Sequence, residues 1–266
     1  MTNENMQRYF VDAKQFQDEL VVLNGDEAHH LIRVMRARPG DQIIVSDGLE
    51  REVLAEITEL NKDTVEARIV EQLTMTHEPA VRVTVAQSLP KGDKLETVIQ
   101  KGTELGAEGF IPFVSQRTIV QYDARKEAKR LERWRKIAKE AAEQAHRNRV
   151  PEVAEPVRWA GIMQLVDAYD LVMMCYEKVD HTEELRPLLQ QFRHEHDIRY
   201  GRDGREPTIL LIVGPEGGFA EQEAEQATAA GIQLVGLGSR ILRTETAAMV
   251  GLACIMYEFN EMGGAL

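Results

Sequence analysis

The fold is decided by the stretch Val213-Gly214-Pro215-Glu216-Gly217-Gly218-Phe219, which follows a short apolar run and precedes a predicted helix beginning near Glu221. Its three glycines allow backbone conformations and close approaches that side chains forbid. Ligands bind at the carboxyl ends of strands in open α/β sheets, so the stretch is either a ligand-binding loop or a tight turn that needs glycine for its shape. It lacks the dinucleotide and Walker patterns, which argues against a Rossmann dinucleotide site and a P-loop NTPase.

On both sides of this loop, apolar strands alternate with amphipathic helices. The predicted strands are Val81–Ser88, Gly109–Val114, Leu171–Tyr176, Ile209–Val213 and Gln233–Leu237, and the predicted helices are Asp93–Leu105, Ala124–Ala145 and Glu245–Phe259. This alternation predicts an α/β fold whose mostly parallel sheet is covered on both faces. The polar stretch from His194 to Pro207 is predicted to be a loop.

The first part of the chain reads instead as a small β-rich unit. Its predicted strands are Gln42–Ser46, Glu52–Ile57 and Thr64–Val70, and one helix before Pro39-Gly40 turns Ala28, Leu31, Ile32 and Met35 inward. The opposite face of that helix carries His29, Arg33 and Arg36, either as a solvated face or as a patch that contacts RNA. We therefore predict two domains, residues 1–75 and 76–266.

Composition narrows the function classes. The net charge is −12, which argues against a protein that coats bare nucleic acid. Residues 117–149 nevertheless contain eleven Lys and Arg and five acidic residues, a net charge of +6 that permits a local anionic partner. Two cysteines in apolar runs indicate reduced thiols rather than a disulfide framework. No apolar run reaches the ~20 residues of a membrane span, and the first residues do not resemble a signal peptide.

A second candidate segment, Leu237–Ala247, leaves a strand and enters the last helix. The N–H groups at that helix start can hold anionic groups, and Arg240 and Arg243 can bind a phosphate or a carbonyl oxygen. The alternative is a surface ion-pair set with Glu245. The histidine pairs His29-His30 and His194-x-His196 lack the companions of a metal site, so we expect no metal.

Together the motifs resemble those of the bacterial small-subunit ribosomal RNA uridine N3-methyltransferases of the RsmE type, in the SPOUT superfamily. The resemblance covers nearly the whole chain. The matching motifs are Arg8-Tyr9-Phe10, His29-His30, Val34-Met35-Arg36, Lys101-Gly102-Thr103-Glu104-Leu105-Gly106, Glu143-Gln144, Arg147, Pro151, Gly214–Phe219 and Leu237–Ala247. Each motif is weak alone, but their order and spacing are specific.

The resemblance implies a PUA-like β-barrel domain followed by an α/β SPOUT methyltransferase domain with a trefoil knot. It also implies a cytoplasmic homodimer that holds S-adenosylmethionine in the loops of the knot. We expect the dimer contact on the last helix, at Met249, Leu252, Ala253 and Met256. Carried over by motif, with a looser match for the first residue, the cofactor-binding residues are Glu177, Gly214, Pro215, Glu216, Gly217, Gly218, Leu237, Gly238, Ile241, Leu242, Arg243, Thr246 and Ala247.

The implied substrate is 16S ribosomal RNA, methylated at N3 of one uridine (position 1498 in the usual numbering). The candidate catalytic residue is Arg243, with Arg8 and Arg147 as further candidates; Glu216 is a carboxylate in the right loop, but no general base is identified. The candidate RNA-binding residues are Arg8, His29, Arg33, Arg36, Lys129, Arg133, Lys136 and Arg147. Three alternatives stay open: a SPOUT ribose 2′-O-methyltransferase, a noncatalytic RNA-binding protein, and another nucleotide-binding α/β enzyme.

Overall fold

The computed structural model describes residues 6–119, 124–178, 183–201 and 204–263, which form two compact units. The first unit contains the chain up to Glu78 together with Ala142–Val150, and the second contains Pro79–Ala141 and the chain from Pro151 onward. Residues 120–123 of the predicted basic stretch and residues 202–203 of the predicted polar loop lie outside the described residues. The return of 142–150 to the first unit has no counterpart in the division predicted from the sequence.

The first unit is built on a five-stranded sheet with the order β1-β3-β4-β5-β2. Its strands are β1 (Arg8–Phe10), β2 (Leu20–Asn24), β3 (Gln42–Ser46), β4 (Glu52–Leu60) and β5 (Thr64–Gln72). β1 runs parallel to β3, and the other pairings are antiparallel. The three predicted strands are confirmed, whereas β1 and β2 were not predicted. Alternating apolar side chains bury one face of this sheet, which is the usual pattern of an antiparallel sheet with one solvated face.

The predicted helix of this unit is shorter and less regular than expected. Helix α1 (Gly25–His29) continues as a π-helical turn over His30–Met35. Leu31 is buried as predicted, but Met35 is 43% exposed, so its inward assignment was wrong. A π turn is wider than an α turn and changes the direction of the side chains that follow it. Arg36 ends the turn in the left-handed region, at φ 53°, and is therefore not at a helical offset from His29.

Buried hydrogen bonds attach the returning segment to the sheet of the first unit. The Glu52 carboxylate accepts from the Arg8 guanidinium and, at 2.8 Å, from the side-chain amide of Asn148. Glu78 accepts from the Arg147 guanidinium at 2.5 Å and from the backbone N–H of Asn148 at 2.9 Å. Burial lowers the pKa of Arg8, against the raising effect of Glu52 and Glu78. These paired charges are inside the unit, so each one depends on its partner.

The second unit contains an eight-stranded sheet with all pairings parallel, in the order β11-β13-β10-β12-β6-β7-β8, with β9 also on β7. The strands are β6 (Arg82–Ser88), β7 (Gly109–Val114), β8 (Glu152–Val153), β9 (Val157–Arg158), β10 (Leu171–Cys175), β11 (Glu183–Glu184), β12 (Thr208–Val213) and β13 (Gln233–Gly236). The helices are α2 (Lys94–Glu104), α3 (Ala124–Gln144), α4 (Trp159–Met163), α5 (Leu185–Tyr200), α6 (Glu221–Ala229) and α7 (Thr244–Glu258). The predicted α/β alternation is confirmed.

Two interpretations of this unit were wrong. The predicted polar loop from His194 begins inside α5. The buried residues of this helix are Leu189 and His196, so the helix forms with few apolar side chains. On α7, Leu252 and Met256 are fully buried within the unit and are not available as a dimer surface. None of the described helices is both long enough and apolar enough to span a membrane.

The buried Arg8–Glu52 pair should contribute far more to stability than a surface pair on the same strand. Replacing Glu52 by alanine leaves the buried Arg8 without the carboxylate to which it is bonded, which should lower the free energy of unfolding by roughly 3–5 kcal/mol in urea denaturation. The control is Glu56→Ala, because Glu56 lies on β4 and its bond to Arg68 is 3.6 Å long and exposed. We expect less than about 1 kcal/mol there. Equal losses in the two variants would contradict the structural role of the buried pair.

Candidate functional site

A cavity of about 440 Å³ lies at the carboxyl ends of β10, β12 and β13 in the second unit. Three loops line it, namely those that follow each of these strands. Of the predicted cofactor-binding residues, the cavity is lined by Glu177, Gly214, Pro215, Glu216, Gly218, Leu237, Gly238, Ile241, Leu242, Arg243 and Ala247. Gly217 and Thr246 belong to the same segments but do not line it. The parallel sheet thus brings together two segments that are about twenty residues apart in sequence.

Two glycines of these loops require the left-handed backbone region. Gly218 has φ +65° and Gly238 has φ +91°, values that other residues adopt only with strain. A Cβ on Gly218 would lie 3.2 Å from a carboxylate oxygen of Glu177, so the loop packs closely there. A Cβ on Gly238 would meet no atom within 4 Å, which leaves open space beside the backbone. Gly238 therefore keeps the cavity accessible to a ligand.

The loop between β13 and α7 offers a row of backbone donors. From Gly238 through Arg243, no backbone N–H donates a hydrogen bond to any of the described residues. All of these residues except the half-buried Leu242 are exposed, so their N–H groups are open to water or to a ligand. The wall behind them is apolar, with Tyr176 and Phe219 buried and Leu242 half-buried. Backbone donors against an apolar wall suit a flat heteroaromatic ligand.

A buried polar contact joins the two loops. The Thr244 hydroxyl donates to the carbonyl oxygen of Gly214 at 2.5 Å and accepts from the side-chain amide of Gln87 at 2.8 Å. Gln87 lies on β6 and is fully buried. Neither Gln87 nor Thr244 was singled out by the sequence analysis, although a threonine at the first position of a helix is a common bonding partner for backbone groups.

Charged side chains surround the cavity on the side of α2. Lys94 donates to Glu216 at 2.7 Å and lies 3.8 Å from Glu245. Burial acts to raise the pKa of Glu216, but the hydrogen bonds from Lys94 and the backbone of Lys91 outweigh it and lower that pKa. The lowered pKa makes Glu216 a weak proton acceptor, and its bond to Lys94 occupies it, so it is a poor general base. Lys94 was missed, although its place after β6 could have pointed to it.

Cys175 is the thiol that lines the cavity. Burial, with a smaller contribution from Cys254, raises the pKa of Cys175 to about 12. The nucleophilic form of cysteine is the thiolate, so the neutral Cys175 thiol is inert at physiological pH. Cys175 is therefore not a catalytic nucleophile.

The three candidate catalytic arginines lie in different environments. Arg243 is exposed at the start of α7, lines the cavity and forms no ion pair with a described residue. Arg240 is exposed in the same loop. Arg8 and Arg147 are only 7% and 4% exposed and are bonded to carboxylates inside the first unit. Their guanidinium groups are already used there, so the structure gives them a structural position rather than a contact with RNA.

The remaining RNA-binding candidates are exposed. Lys129, Arg133 and Lys136 project from α3; Arg133 donates to Glu96 at 2.6 Å, and Lys136 lies 4.0 Å from Glu140. Exposed pairs of this kind are weak and leave the cations able to meet phosphate. His29, Arg33 and Arg36 are exposed on the first unit. Within the described ranges, no group of three or more His, Cys, Asp or Glu side chains could hold a metal ion.

Family models match both parts of the chain. An RNA methyltransferase domain model matches residues 77–256, and an RNA methyltransferase PUA domain model matches residues 23–70. A Bacillus subtilis protein named ribosomal RNA small subunit methyltransferase E is 39% identical over 97% of this chain and 99% of its own length. The chain belongs to this methyltransferase family. A member from Mycobacterium bovis is 32% identical over 93% of this chain and 90% of its own length.

Solved structures of the family have the same fold. A Neisseria gonorrhoeae ribosomal RNA small subunit methyltransferase E bound to S-adenosylmethionine is 33% identical, with a TM-score of 0.78 and coverage of 95% of this chain and 98% of that one. A Legionella pneumophila methyltransferase in complex with the same cofactor is 29% identical, with a TM-score of 0.80 and the same coverage. The fold of this chain is thus a PUA domain with an α/β RNA methyltransferase domain, and the family enzymes are RNA methyltransferases.

The Thr244 hydroxyl should be essential to the arrangement of the two loops. In Thr244→Val the buried Gly214 carbonyl loses its short hydrogen bond, which should lower the free energy of unfolding by about 1–3 kcal/mol in chemical denaturation. Thr97→Val is the matched control because Thr97 is exposed on α2, and it should change stability by less than about 0.5 kcal/mol. If both variants unfolded like the wild type, the loops would have to be fixed by other contacts.

Proposed function

We propose that this protein transfers a methyl group from S-adenosylmethionine to N3 of one uridine in the 16S ribosomal RNA of the small subunit. The observation that carries the proposal is the cavity at the strand ends, with backbone donors on one wall and, beside it, Arg243, which has no ion pair among the described residues. Membership of the methyltransferase family supports it.

The cavity fits the cofactor in size and chemistry. Its volume of about 440 Å³ is in the range of small-molecule sites. The backbone N–H groups of Gly238–Arg243 can bind the adenine ring, while Tyr176 and Leu242 supply apolar contact. The bound cofactor supplies a methyl group that is already activated. The protein residues therefore mainly bind, orient and exclude water.

Arg243 has the position and the charge to assist the uracil. N3 of neutral uracil carries a proton, and when it is lost the negative charge spreads onto the two ring carbonyl oxygens. A guanidinium beside those oxygens stabilises this charge as it develops. Glu216 does not take the proton, because its lowered pKa makes it a weak proton acceptor and Lys94 already bonds to it. We place the proton on water and assign no side chain as the base.

We also propose a homodimer through the exposed face of α7 and a trefoil knot in the strands and loops around the cavity. Of the predicted contact, this proposal keeps the half-buried Met249 and Ala253, leaves out the buried Leu252 and Met256, and adds Tyr257 one turn further along the helix. Tyr257 is 70% exposed, and Ile241 in the adjoining cavity loop is 86% exposed. Large exposed apolar side chains next to a ligand site are typical of an interface.

RNA binding is proposed for two surfaces, one in each predicted domain (residues 1–75 and 76–266). In the first domain, His29, Arg33 and Arg36 are exposed beside the π-helical turn. In the second, the basic face of α3 carries Lys129 and its neighbours. Phosphate contacts made by such side chains position RNA without reading its sequence. We place the enzyme in the cytoplasm, with the ribosomal RNA and with conditions that keep its two cysteines reduced.

Filling the cavity should abolish cofactor binding. Ala247 lies on α7 and lines the cavity, so Ala247→Leu places three additional carbon atoms in the cofactor volume. S-adenosylmethionine at 100 times its Kd should stabilise the wild type by about 2.7 kcal/mol in thermal denaturation, and the variant not at all. Ala229→Leu, at an exposed position of α6, should respond like the wild type. An undiminished shift in Ala247→Leu would contradict the proposed cofactor site.

The reaction itself is tested on small-subunit RNA from cells that lack this enzyme. Incubation with the protein and S-adenosylmethionine should produce 3-methyluridine in nuclease digests analysed by mass spectrometry. Arg243→Ala should lower kcat by about 10²–10³ with unchanged cofactor affinity, because its partner charge develops only in the transition state. Arg186→Ala, at an exposed position of α5, is the control.

The outcomes separate the reaction from the residue. Digests that contain 2′-O-methyluridine and no 3-methyluridine would overturn the proposed reaction. Production of 3-methyluridine at a normal kcat by Arg243→Ala would leave the reaction in place and refute only the role of Arg243.

A further inference from the structure

A second cavity of the methyltransferase domain has no part in the site described above. It has a volume of about 760 Å³ and lies at the carboxyl ends of β7 and β9, where β9 passes into α4 and α6 lies opposite. No residue singled out from the sequence lines it. Its position at strand ends is the one at which α/β sheets bind ligands.

Trp159 gives this cavity an aromatic wall. The indole ring is half-buried and lies 5.8 Å from the Phe219 ring and 6.1 Å from the Phe113 ring, measured between centroids. Its Nε1–H donates to the side-chain oxygen of Gln226 at 2.8 Å, which fixes the plane of the ring. A fixed, partly exposed indole is a suitable surface for stacking a nucleobase.

The other lining groups can bond the edges of a base. Gln116 and Gln222 are exposed and present amides that both donate and accept, and Gln226 keeps its amide N–H groups. Glu223 is already occupied, since it accepts from the backbone N–H groups of Gln116 at 2.8 Å and Ala220 at 2.9 Å. A ligand therefore meets amides rather than this carboxylate.

Two charged residues set the orientation of a ligand. Arg158 is exposed on the rim and forms no ion pair with a described residue, so it can meet a phosphate. Glu127, on α3, also lines the cavity. Its carboxylate repels phosphate but can accept from the amino group of a base. The base then lies inside the cavity and the backbone of the nucleic acid on the side of Arg158.

The two cavities are neighbours. Phe219 lines the cofactor cavity, and the same ring contacts Trp159 of the second one. The loop that begins at Gly214 thus forms a wall of the first cavity and ends at Phe219, whose ring packs against the Trp159 ring that lines the second. A nucleotide in the second cavity would therefore be close, along the RNA strand, to the base that reacts in the first cavity.

We propose that this second cavity binds an unpaired nucleobase of the RNA substrate, close in sequence to the methylated uridine. The base stacks on Trp159 and bonds with the amides of Gln116 and Gln222. The proposal rests on the proposed function, because that function makes RNA the substrate. It adds a site that recognises the RNA sequence around the target uridine.

Tryptophan fluorescence tests the contact without requiring methyl transfer. The chain has two tryptophans, and Trp134 is 2% exposed, so a quencher stacked in the cavity reports on Trp159. A single-stranded RNA of about twelve nucleotides that includes the target uridine should quench the wild-type fluorescence saturably. Trp159→Phe should lose the quenching while the affinity, measured by anisotropy of the labelled RNA, is retained.

Variants test the energetic contribution. Trp159→Leu removes the stacking surface and should weaken RNA binding by about tenfold. Because that change also touches packed rings, Gln222→Ala and Arg158→Gln, both at exposed positions, are the second pair, and each should raise the KM for RNA several-fold. The Kd for S-adenosylmethionine should not change in any variant. Gln100→Ala, exposed on α2 and lining neither cavity, is the control.

Each outcome decides one proposal. Saturable quenching by RNA with weakened binding of the variants supports the base-binding cavity, even if no methyl transfer is detected and the proposed function fails. Methylated RNA with no quenching, and a normal KM for RNA in Gln222→Ala and Arg158→Gln, would overturn the base-binding cavity and leave the proposed function intact.

Discussion

The hydrogen bond from the Thr244 hydroxyl to the Gly214 carbonyl is the contact on which the cofactor cavity depends. It joins the first residue of α7 to the end of β12. The side-chain amide of Gln87, on β6, donates a second hydrogen bond to the same hydroxyl. Because these groups are buried, an unmade bond would cost the desolvation of each polar atom. The contact therefore fixes the spacing of the two glycine-containing loops, and that spacing defines the cavity between them.

Two arginines of this cavity, Arg240 and Arg243, form no ion pair with a described residue. Glu216 and Glu245 both face Lys94, and the short bond to Glu216 raises the pKa of Lys94. Glu216 and Glu245 are thus paired with Lys94, whereas Arg243 forms no ion pair with the described residues. An acidic protein can in this way present positive charge to an anionic intermediate, because local pairing matters more than net charge at contact distance.

Sequence patterns predicted the parts of the fold that depend on local periodicity and on glycine. The parallel strands and the two loops were found because apolar runs end at Gly214 and Gly238. The positions of Arg8 and Arg147 could not be found this way, since burial of a charge depends on partners far away in sequence, such as Glu52 and Glu78. Lys94 was missed although it follows β6, because its partner Glu216 lies at the end of a different strand. Helix α5 was missed because it buries few apolar side chains.

The return of residues 142–150 to the first unit affects how the chain folds during synthesis. Glu78 leaves the ribosome long before Arg147 and Asn148, its partners in the finished unit. At ~5–20 residues per second, the delay is on the order of 4–14 seconds. During that interval the N-terminal strands lack the segment that Glu52 and Glu78 bind, while the first strands of the methyltransferase domain are already emerging. Completion of the PUA domain is therefore tied to translation of α3, and the two domains of this enzyme cannot fold strictly one after the other.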